Sequence, residues 1–253
     1  MVLGIDSSEY QAFLEAVKYG QLEQVEQYLV EHPEFLDLAG EYGIRPLHCA
    51  AENDPGFTTM ELILERGGTT LSPPTNFWRP PTPLHFAAGN GYDSMVKLLL
   101  RYGSTSLDSP NNNGQIPLHL VAWNGYDSTA ELLLEHGTSL EFTDNDGQTP
   151  LHYAAWSGRD SMVELLLRNG STSLDLPDND GCTPLRLAAS SRRRLDPTIR
   201  ILKSVGATFP TFDGLRDESI AILQEAIPEK EVLEIRHRIS FVRTLTKRLL
   251  YFC

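Results

Sequence analysis

The stretch TPLHYAAWSGRDSMVELLLRNG, residues 149–170, contains the plan of the chain. A threonine able to cap a helix stands before a proline, and proline suits the first helical position because its missing N–H would lack a partner there anyway. Leu151 and the small pair Ala154 and Ala155 follow on one helical face, and Gly158 breaks the segment. Asp160 is placed to cap a second helix, MVELLL is its apolar run, and Gly170 stops it. The stretch predicts a helical hairpin.

The plan recurs. RPLHCAA (45–51), TPLHFAA (82–88), IPLHLVA (116–122), TPLHYAA (149–155) and TPLRLAA (183–189) place prolines at 46, 83, 117, 150 and 184, a period of 37, 34, 33 and 34 residues. The last four are followed by MVKLLL, TAELLL, MVELLL and IRILKSVG, with Asp93, Asp127 and Asp160 as caps and Gly103, Gly137 and Gly170 as stops of the second helices. This pattern resembles the ankyrin repeat family in register across most of the chain. The resemblance implies an all-α fold, an ankyrin repeat solenoid of stacked helical hairpins with finger-like turns. One hairpin cannot bury its apolar face alone, so stacked copies supply the core and end copies carry a polar outer side. Residues 1–39 are expected to form an N-terminal capping repeat, with Phe13, Leu14, Val17, Leu22, Val25, Tyr28 and Leu29 spaced around Gly20. Residues 40–212 carry the ankyrin repeats. Residues 213–253 form a C-terminal helical cap, giving about six repeats including caps plus C-terminal helices. The segment GGTTLSPPTNFWRPPTP holds five prolines, which predicts a longer, stiffer finger.

Composition sets the setting. With 41% hydrophobic and 22% charged residues the chain reads as an ordinary globular protein. No run approaches the ~18 apolar residues of a membrane span, and MVLGIDSSEYQ lacks the basic-then-apolar order of a secretory signal. The three cysteines, Cys49, Cys182 and Cys253, are odd in number and far apart, which suits a reducing compartment. A cytoplasmic location is expected, with the nucleus open. The net charge is −13, yet residues 236–253 hold five bases and no acid, so the remainder carries −18. Such a body repels nucleic acid and draws basic partners.

In the ankyrin family the fingers and the exits of the first helices line a concave partner-binding surface. The resemblance therefore implies that the pairs after each A-A motif are exposed there, among them Asn90, Trp123 with Asn124, and Trp156 with Ser157. Trp78 and Arg79 fall in the long finger, and the tips PNNNGQ, DNDGQ and DNDGC offer Asn113, Gln115, Asp146, Gln148 and Asp180. Two readings of the tryptophans stand side by side. They pack on each other or on adjacent fingers, or they are rigid anchors for a partner. Asp144 and Asp178 suit local turn chemistry, whereas Asp146 and Asp180 are freer to meet a ligand that is basic and apolar.

No catalytic set is expected. His48, His85, His119 and His152 recur inside P-L-H, as a structural bond to the finger backbone requires, and they are too far apart for one ion. No cofactor motif is present in the sequence, and Cys182 reads as a fingertip thiol without a basic neighbour. In residues 228–253, Val232, Ile235, Ile239, Val242, Leu245, Leu249 and Phe252 form one apolar stripe beside the basic residues, a basic amphipathic helix. It docks on the last repeat or makes contacts of its own. The expected function is a non-enzymatic adaptor that binds another protein through the concave ankyrin surface. The alternative is a substrate-recognition adaptor of a ubiquitin ligase, since IPEKEVLEI (227–235) resembles the opening of F-box-like tails. The C-terminal helix would then recruit the ligase.

Overall fold

The computed structural model describes residues 7–40, 43–68, 81–102, 107–191 and 196–208. The expected C-terminal cap and amphipathic helix, the long finger with Trp78 and Arg79, and Gly103 lie outside the described residues. Among those described, all regular structure is helical: α1 (Ser7–Lys18), α2 (Leu22–Glu31), α3 (Pro46–Glu52), α4 (Phe57–Glu65), α5 (Pro83–Gly89), α6 (Asp93–Arg101), α7 (Pro117–Asn124), α8 (Asp127–Glu135), α9 (Pro150–Ser157), α10 (Asp160–Arg168), α11 (Pro184–Ser190) and α12 (Asp196–Ser204).

The first helix of each pair begins where the threonine and proline predict. Thr82 and Thr183 hold extended backbone and accept from the N–H groups of His85 and Arg186 at 3.4 and 3.3 Å. Pro83, Pro150 and Pro184 occupy the first turn. The second helices start differently from expectation. Tyr92, Tyr126 and Arg159 are the residues before them, none with a side-chain cap, and Asp93, Asp127 and Asp160 are already helical. A carboxylate one position inside still faces the positive end of the helix dipole, which explains its recurrence. Asp160 Oδ1 also accepts the Thr198 hydroxyl. Gly137 and Gly170 stop α8 and α10 with φ of +86° and +101°, a left-handed turn that a side chain would strain.

Two compact units divide at Pro117 and Leu118. In the first, α1 packs on α3 and α3 on α5, with α2, α4 and α6 paired to them. Phe13, Val17, Val25, Phe35, Leu47, Met60, Ile63, Leu84, Met95 and Leu99 are sealed inside. Leu22 departs from the expected capping repeat, standing exposed at the first position of α2. In the second unit α9 packs on α11 and α10 on α12, and α10 also meets α8. Its core is Leu118, Val121, Leu133, Leu151, Met162, Val163, Leu166, Leu185 and Leu202. The small pairs Ala50/Ala51, Ala87/Ala88, Ala154/Ala155 and Ala188/Ala189 are buried in the first helices, so neighbouring helices approach closely without a clash. Each large buried side chain contributes about 1.5–3 kcal/mol, which is why the pattern of Leu and Ala, more than helix propensity, holds these short helices together.

Candidate functional site

The fingers come from one turn repeated three times. Asn111, Asp144 and Asp178 are buried, and each turns Oδ1 back to accept two backbone N–H groups of its own finger. For Asp144 the donors are Asp146 at 3.0 Å and Gln148 at 2.8 Å; for Asp178 they are Asp180 at 3.0 Å and Cys182 at 2.7 Å. This bears out turn chemistry for Asp144 and Asp178. Asp146 and Asp180 stand exposed at the tips.

Histidines tie fingers to helices. Nδ1 of His85 and His152 accepts the N–H of Thr82 and Thr149. The other ring nitrogen reaches a carbonyl of a finger: Gln115 O at 2.8 Å from His85, Gln148 O at 3.0 Å from His119, Cys182 O at 3.2 Å from His152. A carbonyl only accepts, so Nε2 carries the proton in these rings. Burial lowers the His152 pKa and holds that of His48 at about 4. Thr149, Ser171 and Ser173 hydroxyls chain onto His152 inside the protein, which makes the chain a structural tie with no reacting group at the surface. Glu9, Glu31 and His32 are the described residues grouped closely enough to hold an ion, but His32 already pairs with Glu9 at 3.2 Å and Glu34 at 3.3 Å.

Trp123 leaves the end of α7 and Trp156 the end of α9, with 41% and 39% of their surface exposed. They do not pack on each other. Trp123 and Tyr153 meet in a T-shaped contact, 6.0 Å between ring centres at 71°, and Tyr153 makes another with His119. The Tyr153 hydroxyl donates to Asp144 Oδ2 at 2.6 Å. Tyr153 thereby joins Trp123 to the Asp144 finger, one tyrosine length away. Arg159 completes the group: its Nε donates to the Trp123 carbonyl at 3.2 Å. Gly125, at φ +79°, permits this, because a Cβ there would sit 2.7 Å from Arg159 Cδ. Tyr126 is exposed nearby in sequence, at the start of α8.

The remaining expected site residues divide. In the first unit, Asn90 is exposed with Nδ2 donating to Glu52 O, Asn113 is exposed at its tip, and Gln115 is half-buried, its Oε1 accepting from Asn111. In the second, Asn124 is half-buried. Gln148 is half-buried as well and donates Nε2 to Asp178 Oδ2 at 3.0 Å, linking two fingers. Ser157 is a correction: it is 4% exposed and its hydroxyl turns back to Tyr153 O at 2.7 Å, as a serine one turn up a helix readily does. The exposed pair after A-A therefore reduces to its first member at this exit. Cys182 is half-buried. Sequence reasoning passed over Tyr153, Tyr126 and Arg159. The available signal was Tyr153 three residues before Trp156, the spacing that places two side chains on one helix face.

Repeated helical hairpins joined by histidine-tied fingers define an all-α repeat protein. The family model for ankyrin repeats (three copies) matches residues 70–144 and 137–213, and the chain belongs to the ankyrin repeat family. Ankyrin repeats generally mediate protein–protein interaction and are typically binding modules. A search of curated proteins found no match. No helix among the described residues is long and apolar enough to cross a membrane.

Proposed function

We propose that this chain is a non-enzymatic adaptor in the cytosol or nucleus, and that its second unit captures a partner protein through Trp123, Tyr153 and Trp156 together with Asp146 and Asp180. The observation that carries this reading is the exposure of two tryptophans at equivalent helix exits, 41% and 39%. A surface tryptophan keeps apolar area in water in the free protein, and covering it on binding recovers that area with few rotors to freeze. Residues 118–191 hold eleven carboxylates against three guanidinium groups, so the partner segment is basic as well as apolar.

A peptide selected from a random library displayed as an internal segment serves as the probe. Its hydrogen-exchange footprint should fall on residues 121–126, 144–148 and 153–159. Protection confined to the opposite ends of these helices, near Leu118 and Leu151, would place binding elsewhere.

A further inference from the structure

Arg159 is out of place by charge. Among the described residues 118–191 it is the exposed base, since Arg168 is half-buried beside Glu131 at 4.0 Å and Arg186 is half-buried. Eleven carboxylates share this stretch, yet Arg159 makes no ion pair with any of them. Its protein contact is the bond from Nε to the Trp123 carbonyl, and its aliphatic stem crosses the open face of Gly125. That bond sets Nε beside the carbonyl of an exposed tryptophan, and neither Nη group has a hydrogen bond or ion pair among the described residues. A fork with Nε engaged still offers two parallel N–H groups end-on, the geometry that takes both oxygens of one carboxylate.

We infer that Arg159 is a specificity residue of the partner site and selects an aspartate or glutamate of the bound segment, beside the apolar residue that packs on Trp123. The segment it fits is therefore mixed in charge. Basic residues lie toward the exposed Asp146 tip, reached through Tyr153 and Asp144, and one acid lies at Arg159. A phosphate with its larger charge is disfavoured by the net acidity of residues 118–191, whereas a single carboxylate adds least to that repulsion. This inference rests on the proposed binding role of the tryptophans.

The test selects peptides from a random library displayed as internal segments, against the wild-type chain and against Arg159→Glu. Expected from the wild type are peptides with an acid one or two residues from an apolar anchor, binding about fivefold or more weakly to Arg159→Glu. Selection against Arg159→Glu should exchange that acid for lysine or arginine, and this gain of binding also certifies that the variant is folded. Peptides that depend on Trp123 and Trp156 but show no acid, or bind Arg159→Glu unchanged, overturn the inference and leave the binding site standing. A preference that appears only for peptides with a free C-terminal carboxylate, or only for phosphopeptides, overturns it too. Binding indifferent to the Trp123→Ala, Trp156→Ala pair removes both.

Discussion

Replacing Asp144 by alanine should destabilise the second unit far more than its place near a fingertip implies. Its carboxylate is 7% exposed in residue terms and accepts from Asp146 N, Gln148 N and the Tyr153 hydroxyl at 3.0, 2.8 and 2.6 Å. A hydrogen bond to a charged group contributes about 1.5–3 kcal/mol, and water reaches part of an opened fingertip, so Asp144→Ala should cost about 2–4 kcal/mol in total. Asp144→Asn should cost about 1 kcal/mol, because it keeps Oδ1 for both backbone donors and presents Nδ2 to the tyrosine oxygen. Asn111 already works this way, with Oδ1 on Asn113 N and Gln115 N and Nδ2 on Gln115 Oε1. Asp146→Ala, exposed, is the control and should stay within about 0.5 kcal/mol. Urea denaturation followed by circular dichroism reads the series, and hydrogen exchange should show the Gln148 amide opening in Asp144→Ala alone. Equal stability of the alanine variants at 144 and 146, or an asparagine variant as weak as the alanine one, refutes the turn-anchor account.

Three other outcomes follow from the same contacts. Burial holds the His48 pKa at about 4, against an ordinary 6.5, so the unfolded chain takes up its proton first; stability is present above about pH 6.5 and is lost as pH falls toward 4. The His48→Gln variant should lack up to roughly 3 kcal/mol of this dependence, and urea midpoints whose pH slopes coincide with wild type would exclude His48 as its source. Gly125→Ala should cost about 1–2 kcal/mol from its positive φ and also displace Arg159, lowering affinity for acid-containing peptides; retained stability together with retained affinity counts against the Gly125 contact. The on-rate of a basic peptide should fall roughly tenfold from low to physiological salt, and a flat stopped-flow response removes electrostatic steering.

Much of the fold is legible in the sequence because each hairpin repeats a local code. Threonine, proline, leucine and paired alanine specify a first helix whose partners are its own neighbours, and Thr82, Thr183 and the buried alanines follow it. His85, His119 and His152 were readable for the same reason, since a once-per-repeat polar residue among apolar ones needs a repeating partner; His48 departs from the expectation, accepting the Arg45 N–H at Nδ1 while its buried Nε2 has no partner among the described residues. The second helices were placed one residue off because Asp is as favourable inside the first turn as at the cap, and sequence alone does not separate the two positions. The site was half legible. Exposure of Trp123 and Trp156 could be read from repeat position, but the Arg159 bond to Trp123 spans 36 residues and depends on the bare face of Gly125. Ser157 was misplaced because its hydroxyl satisfies the helix backbone, a local choice that a polar residue at an expected surface position conceals.

The most direct measurement of the central claim is the affinity of the double variant Trp123→Ala, Trp156→Ala for a partner peptide selected on the wild type, by titration calorimetry beside a thermal melt. The account predicts at least a tenfold loss, about 1.4 kcal/mol, with a cooperative melt retained. Wild-type affinity in the double variant, or loss of its folded structure, would contradict it.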